Sequence, residues 1–228
     1  LRVTIISFGL TYFITQVETL WFIDAVHMDS ASVKALLFGG FLSSFLFSWI
    51  LVKWVKRHTT ALTTKIPSGQ MGITWRNGIL ALLLIVIVWP LIYFLAGYYI
   101  AWQSEAVRVY YSSSTELKSF YDMMVINIQE GLYTFQVIRS FIWVGLALLI
   151  IYPLKGKSTV LQAVITGAMF AILGSSQLLL DNPFMPETIR LVHLVETALS
   201  TFIWGVLLVI GLHQILGIKG HELTGSPA

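Results

Sequence analysis

The sequence predicts an all-α integral membrane protein, a bundle of about six transmembrane helices with both termini in the cytoplasm. Of its 228 residues, 57% are hydrophobic and only 11% are charged, whereas soluble domains carry about 25% charged residues. Six apolar runs each approach the roughly 20 residues that a helix needs to cross a bilayer. The chain contains no cysteine, so disulfides and thiolate chemistry are excluded.

The six predicted spans make up a single membrane domain over residues 1–228. They fall at about Val3–Ile23, Val33–Val55, Asn77–Ala101, Leu132–Leu154, Thr159–Leu180 and Thr188–Leu216. The first run lacks a small-residue cleavage site, so it is interpreted as a span and not as a signal peptide. Pro90 predicts a kink or a loosened turn in the third span, because proline has no amide hydrogen to donate.

The basic residues predict the orientation of the chain. Nine lie on one side of the predicted spans: Arg2, Lys53, Lys56, Arg57, Lys65, Arg76, Lys155, Lys157 and Lys219. Four lie on the other side: Lys34, Arg108, Lys118 and Arg190. The positive-inside rule assigns the richer side to the cytoplasm. Both termini are therefore expected inside the cell, with the chain in a bacterial cytoplasmic membrane.

The longest predicted outer segment covers residues 104–130. Its Ser113-x-x-Glu116 pattern is typical of a capping box, and apolar residues then recur at helical spacing through Ile128. We expect one short amphipathic helix here, serving either as an interfacial connector or as a lid.

The predicted inner loop, at about 56–76, is polar and basic. Lys53, Lys56 and Arg57 at its start suit anionic lipid headgroups better than nucleic acid. Besides lipid, the expected partners are another membrane protein or a second copy of the chain.

Two spans carry small residues one turn apart. The second span has Gly40, Ser44 and Ser48, and the fifth has Ala163, Gly167, Ala171 and Ser175. Such stripes let helix backbones approach closely. We interpret both as helix–helix seams, with a substrate path as the alternative.

Polar and charged residues recur at one depth, in the outer half of four predicted spans. The candidate ligand or ion site comprises Glu18, Gln136, Arg139, Gln177, Arg190, His193 and Glu196. A charged side chain in hydrocarbon costs at least about 2.5 kcal/mol, so these groups are expected to face one another or a wet cavity. His193 is the member that can change charge near neutral pH.

Three interpretations of this cluster stay open. The charged groups could simply join helices, they could bind an ion, a proton or a small ligand, or His193, Glu196 and Glu18 could hold a metal. No haem or nucleotide signature is found, and no catalytic motif. The leading expectation is transport or sensing of a small polar or ionic solute. The alternatives are a non-catalytic membrane subunit and, with less support, an intramembrane metal-dependent hydrolase.

Overall fold

A computed structural model describes residues 1–22, 28–58 and 75–216 of the chain. Within them all regular secondary structure is helical: α1 (Arg2–Trp21), α2 (Ser30–His58), α3 (75–101), α4 (Glu105–Ser112), α5 (Phe120–Gln129), α6 (Leu132–Leu154), α7 (Thr159–Leu179) and α8 (Glu187–Leu216). Most of the predicted inner loop at 56–76 lies outside the described residues.

Five of these helices are long and apolar enough to cross a membrane by length and composition: α1, α2, α6, α7 and α8. Their bounds agree closely with five of the predicted spans. Local signals explain several ends. Ser158 caps α7 by accepting a hydrogen bond from the amide of Leu161. Gly131, with φ of +82°, turns the chain into α6 in a conformation that suits glycine.

The third predicted span is also helical, but α3 is less regular. It runs through Trp75–Leu83, a π-helical turn at Leu84–Val88, Trp89–Ala96 and a second π-helical turn at Gly97–Ala101. The first π turn ends directly before Trp89 and Pro90, which confirms the predicted loosened turn. The apolar part Trp89–Ala101 is shorter than the five long helices.

Aromatic side chains from four helices fill the centre of the bundle. The ring of Trp89 in α3 lies 5.6 Å from that of Trp143 in α6 and 5.8 Å from that of Trp204 in α8. Phe170 of α7 packs on Trp143 at 4.5 Å. All four side chains are almost fully buried. Because such pairs add about 0.5–1.5 kcal/mol each beyond burial, they fix α3 against α6, α7 and α8.

The closest helix pair is α7 and α8. A Cβ added to Gly205 would lie only 2.7 Å from the Cα of Gly167, and one added to Gly167 would lie 2.8 Å from the carbonyl oxygen of Phe202. The two backbones are therefore in direct contact. This confirms the prediction that the small-residue stripe of the fifth span is a helix–helix seam.

Helix α2 packs mainly on α1. Gly40, Ser44 and Ser48 are buried in this seam, and the ring of Tyr12 covers Gly40, which confirms the stripe predicted in the second span. The opposite side of α2 is open, with Phe38 and Trp54 exposed by 67% and 60%. α2 is thus the least enclosed of the long helices.

The predicted outer segment holds two helices, α4 and α5, where one was predicted. Ser119 begins α5 by accepting a hydrogen bond from the amide of Asp122. Ser113 instead ends α4 with a left-handed φ of 54°, so the capping assignment at Ser113 and Glu116 was wrong. Ile128, on the predicted apolar stripe, is exposed.

Candidate functional site

An ion pair joins α1 to α6 at the centre of the predicted cluster. Nη2 of Arg139 lies 2.9 Å from Oε2 of Glu18. The same guanidinium donates to Oε1 of Gln136 at 3.0 Å and to the carbonyl of Ile14 at 3.3 Å. The side chain of Arg139 is 4% exposed and that of Glu18 is 28% exposed. The base is therefore enclosed, while the acid stays accessible.

Aromatic rings enclose Arg139. Its guanidinium carbon lies 6.0 Å from the ring centres of Trp89 and Tyr93 and 5.8 Å from that of Phe135. The indole of Trp89 also donates to Oε1 of Gln136 at 3.1 Å. A desolvated cation beside aromatic faces gains about 2 kcal/mol, so this shell offsets part of the cost of burying the charge.

A second pair lies on α8. Nδ1 of His193 is 2.6 Å from Oε2 of Glu196, and the spacing of three residues places both on one helix face. Nε2 of His193 is buried and has no hydrogen-bond partner. Across from this pair, the other carboxylate oxygen of Glu196 lies 3.8 Å from where a Cβ on Gly97 would stand. Gly97 of α3 is therefore a neighbour of the Glu196 carboxylate.

Tyr93 of α3 lies near both pairs. Its side chain is within electrostatic range of Glu18, Arg139 and Glu196. His193 lies within the same range of Glu18. The structure therefore forms two directly bonded pairs, Glu18 with Arg139 and His193 with Glu196, which lie within electrostatic range of each other.

Helix α4 packs against the cluster at His193. The ring of Tyr111 lies edge-on to His193 at 5.5 Å and also contacts Phe22 at 5.8 Å. Burial raises the pKa of Tyr111. Its neighbour Tyr110 donates to the carbonyl of Phe184 at 2.6 Å. α4 thus packs over His193 through Tyr111 and is held to the loop before α8 through Tyr110.

The remaining predicted site residues lie elsewhere or at the edge. Oε1 of Gln177 accepts a hydrogen bond from Nε2 of Gln16 at 3.3 Å, which links α7 to α1. Arg190 bonds Asp181 at 2.8 Å and the carbonyl of Leu180. Arg190 is thus engaged with the loop before α8 and not with the two pairs.

Four residues of the site were not predicted: Trp89, Tyr93, Gly97 and Tyr111. The first three are spaced by four residues along α3, so they share one helix face. Charged or amide side chains identified the predicted candidates, and these three residues of α3 have neither. A tyrosine hydroxyl within an otherwise apolar span was the available signal.

The metal-site interpretation finds no geometric support. Among the residues that the structure describes, no group of three or more His, Asp or Glu side chains is arranged to hold a metal ion. His193, Glu196 and Glu18, the predicted metal set, therefore do not form one.

Comparison of the chain with protein families, curated proteins and solved structures finds no match. The function must therefore be inferred from the chemistry of the cluster. The cluster holds two carboxylates, one guanidinium and one imidazole behind an aromatic shell. These side chains can take up and release a proton or bind a small cation.

Proposed function

We propose that this chain is a multi-pass protein of a bacterial cytoplasmic membrane that transports or senses a small polar or ionic solute at the cluster of Glu18, Arg139, His193 and Glu196. In this proposal a proton or a monovalent cation balances the charge of the cluster. The solute crosses or is detected together with that cation.

The observation that carries the proposal is an imbalance of charge. Two carboxylates, Glu18 and Glu196, share a space with one permanent cation, Arg139. With His193 neutral the cluster carries one net negative charge, and with His193 protonated it carries none. Because an uncompensated charge in a low-dielectric site is costly, the cluster favours a bound proton or monovalent cation. The unpartnered Nε2 of His193 is a second polar atom that a ligand could satisfy.

Access to the cluster supports binding over a purely structural role. Glu18 and His193 keep 28% and 19% of their side-chain surface exposed, whereas Arg139 keeps 4%. Glu18 and His193 are therefore the accessible members of the cluster, whereas Arg139 and Glu196 are enclosed.

We further propose six spans, with α3 as the sixth, and an orientation with both termini in the cytoplasm. This rests on the nine-to-four division of basic residues, which places the cluster in the outer half of the membrane. Because the chain has no cysteine, single cysteines at Thr63 and Ser113 can be labelled in intact cells with a membrane-impermeant maleimide. Labelling at Ser113 but not at Thr63 is expected, and the reverse would contradict this orientation.

Proton flux tests the proposed transport directly. The purified chain is reconstituted in liposomes that contain a pH-sensitive dye, and a potassium diffusion potential is applied with valinomycin. The Glu196→Gln variant removes the imbalance of charge and is expected to abolish the dye response. Glu187→Gln is the matched control, because Glu187 is exposed on the first turn of the same helix and lies outside the cluster.

The expected result is flux through the wild-type chain and through Glu187→Gln, and none through Glu196→Gln. Equal flux through all three would show that the cluster is not the site. No flux through the wild-type chain would overturn proton-linked transport.

One observation favours a second candidate, a non-catalytic subunit of a larger membrane complex. Only 17% of the most apolar stretch of α2 is buried, compared with 39% of the corresponding stretches of α6, α7 and α8. Its exposed aromatic side would suit an apolar partner helix. Co-purification of a second membrane protein that is lost on Phe38→Ala and Trp54→Ala substitution would support this candidate.

A further inference from the structure

A groove lies between the first turn of α1 and the end of α2, far in sequence from the cluster residues of α8. It has a volume of about 340 Å³. Val3 and Thr4 line it from α1, and Phe45, Ser48 and Trp49 line it from α2. Phe45 and Trp49 are 51% and 56% exposed. The groove is therefore open sideways, toward the space that lipid would fill around an apolar helix.

Two lysines stand at the end of this groove. Lys53 and Lys56 line it together with Val52, and no acidic residue is among its lining residues. Positions 45, 49, 52 and 56 recur at helical spacing, so one face of α2 changes along its length from aromatic to cationic. Nζ of Lys53 lies 4.8 Å from the ring centre of Trp49, which holds the charge directly above the apolar part.

A polar atom inside the groove has no partner. The side chain of Ser48 lines the groove, the residue is only 3% exposed, and its Oγ makes no hydrogen bond. An unsatisfied buried hydroxyl costs about 1–3 kcal/mol. A ligand with an oxygen acceptor between its charged end and its apolar end would satisfy it.

We propose that this groove binds one anionic phospholipid. The phosphate lies against Lys53 and Lys56, whose compact ammonium groups attract it as point charges. A glycerol ester carbonyl accepts a hydrogen bond from Ser48, and one acyl chain lies along Val3, Phe45 and Trp49. The order of cation, hydroxyl and apolar surface along α2 matches the order of phosphate, ester and acyl chain in the lipid.

Native mass spectrometry of the delipidated full chain tests this site. The chain is incubated in non-ionic detergent with phosphatidylglycerol or with phosphatidylcholine of the same acyl chains. The Lys53→Ala/Lys56→Ala variant is expected to bind phosphatidylglycerol on the order of tenfold more weakly. Both lysines are exposed, so this variant leaves the packing of the helices unchanged.

The matched control is Lys155→Ala/Lys157→Ala. It removes two basic residues from the loop between α6 and α7, which does not line the groove. This control is expected to keep the wild-type affinity. Ser48→Ala removes the hydroxyl without adding bulk to the buried seam between α1 and α2, and is expected to weaken lipid binding as well.

Four results would overturn the proposal: equal loss of affinity in the two lysine variants, equal binding of phosphatidylcholine and phosphatidylglycerol, undiminished binding by Ser48→Ala, and displacement of the lipid by excess inorganic phosphate. The last would show that the lysines hold a free anion.

Discussion

Helix α8 carries two histidines near its opposite ends, and they are held in different ways. Nδ1 of His213 lies 3.1 Å from Oγ1 of Thr159, and its Nε2 lies 3.0 Å from Oε1 of Gln162. The amide nitrogen of Gln162 donates in turn to the carbonyl of Lys157 at 2.9 Å. Both ring nitrogens of His213 thus bond neutral groups, in a network that joins α8 to α7.

His193 has a charged partner on one ring nitrogen and none on the other. Its Nδ1 bonds the carboxylate of Glu196, and its buried Nε2 is unpartnered. His213 is the more buried of the two, so burial alone does not distinguish the histidine of the proposed site. The difference between them is whether the hydrogen bonds are complete, because an incomplete set leaves room for a ligand or a proton.

The largest change in stability is expected from substituting Arg139. This arginine gives the His193 region a buried charge, whereas the partners of His213 are neutral. Arg139→Met leaves Glu18 without its partner and should lower the free energy of unfolding by about 3 kcal/mol. The Glu18→Gln/Arg139→Met double variant should lose less, because no carboxylate is then left unpaired. SDS unfolding followed by tryptophan fluorescence measures both. Arg57→Met, on the exposed end of α2, is the control and should be neutral.

The two histidines should separate stability from flux. His213→Leu leaves Thr159 and Gln162 without their bonds to the imidazole and should lower the free energy of unfolding by about 1–3 kcal/mol while proton flux into liposomes continues. His193→Gln should abolish flux. The interpretation of the two sites fails if His213→Leu abolishes flux in a folded protein and His193→Gln does not.

A substitution with a smaller effect should leave one ring nitrogen of His213 without a partner, as in His193. Gln162→Leu removes the partner of one ring nitrogen and leaves the other on Thr159. We expect a loss of about 1 kcal/mol in the free energy of unfolding, measured by the same SDS titration. Gln214→Leu, at an exposed position on α8, is the control and should have no effect.

The smallest effect concerns Tyr111, which packs over His193. Burial raises the pKa of Tyr111 in the folded chain, so the unfolded chain releases this proton first as the pH rises. The stability contributed by neutral Tyr111 is present below its ordinary pKa of about 10 and is lost above it. Tyr111→Phe should remove this alkaline loss and leave stability at neutral pH almost unchanged. Thermal unfolding measured across pH 8–11 (roughly from one side of that pKa to the other) would show an unchanged alkaline slope if Tyr111 were freely hydrated.

Hydropathy predicted the long helices because hydrophobicity sums along the chain. Small residues predicted two helix–helix seams because residue size can be read directly from the sequence. It was harder to predict which face of each helix would be buried. The π-helical turn at Gly9–Phe13 inserts a residue into α1 and rotates the remainder of the helix, so Gln16 became buried beside Gln177. π turns have no clear sequence signature.

Other predictions were wrong because two possible partners or positions were both compatible with the sequence. Arg190 shares a helix face with His193 and Glu196 in sequence, yet its long side chain reaches the loop at Asp181. Ser113 and Ser119 both fit a helix start, and only Ser119 has an acceptor position facing a free amide. Tyr93 escaped prediction because a phenol in an apolar span resembles any other core aromatic.

The contact between Gly167 and Gly205 has a mechanical consequence. Where two backbones touch, sliding or tilting one helix against the other requires the glycines to separate, so α7 and α8 must move as one rigid body. Glu196 and His193 belong to that body, whereas Glu18 belongs to α1. Arg139 lies on α6, which the aromatic core fixes against α8. A rocking motion between α1 and α8 would therefore act across the cluster and separate Glu18 from Arg139, His193 and Glu196.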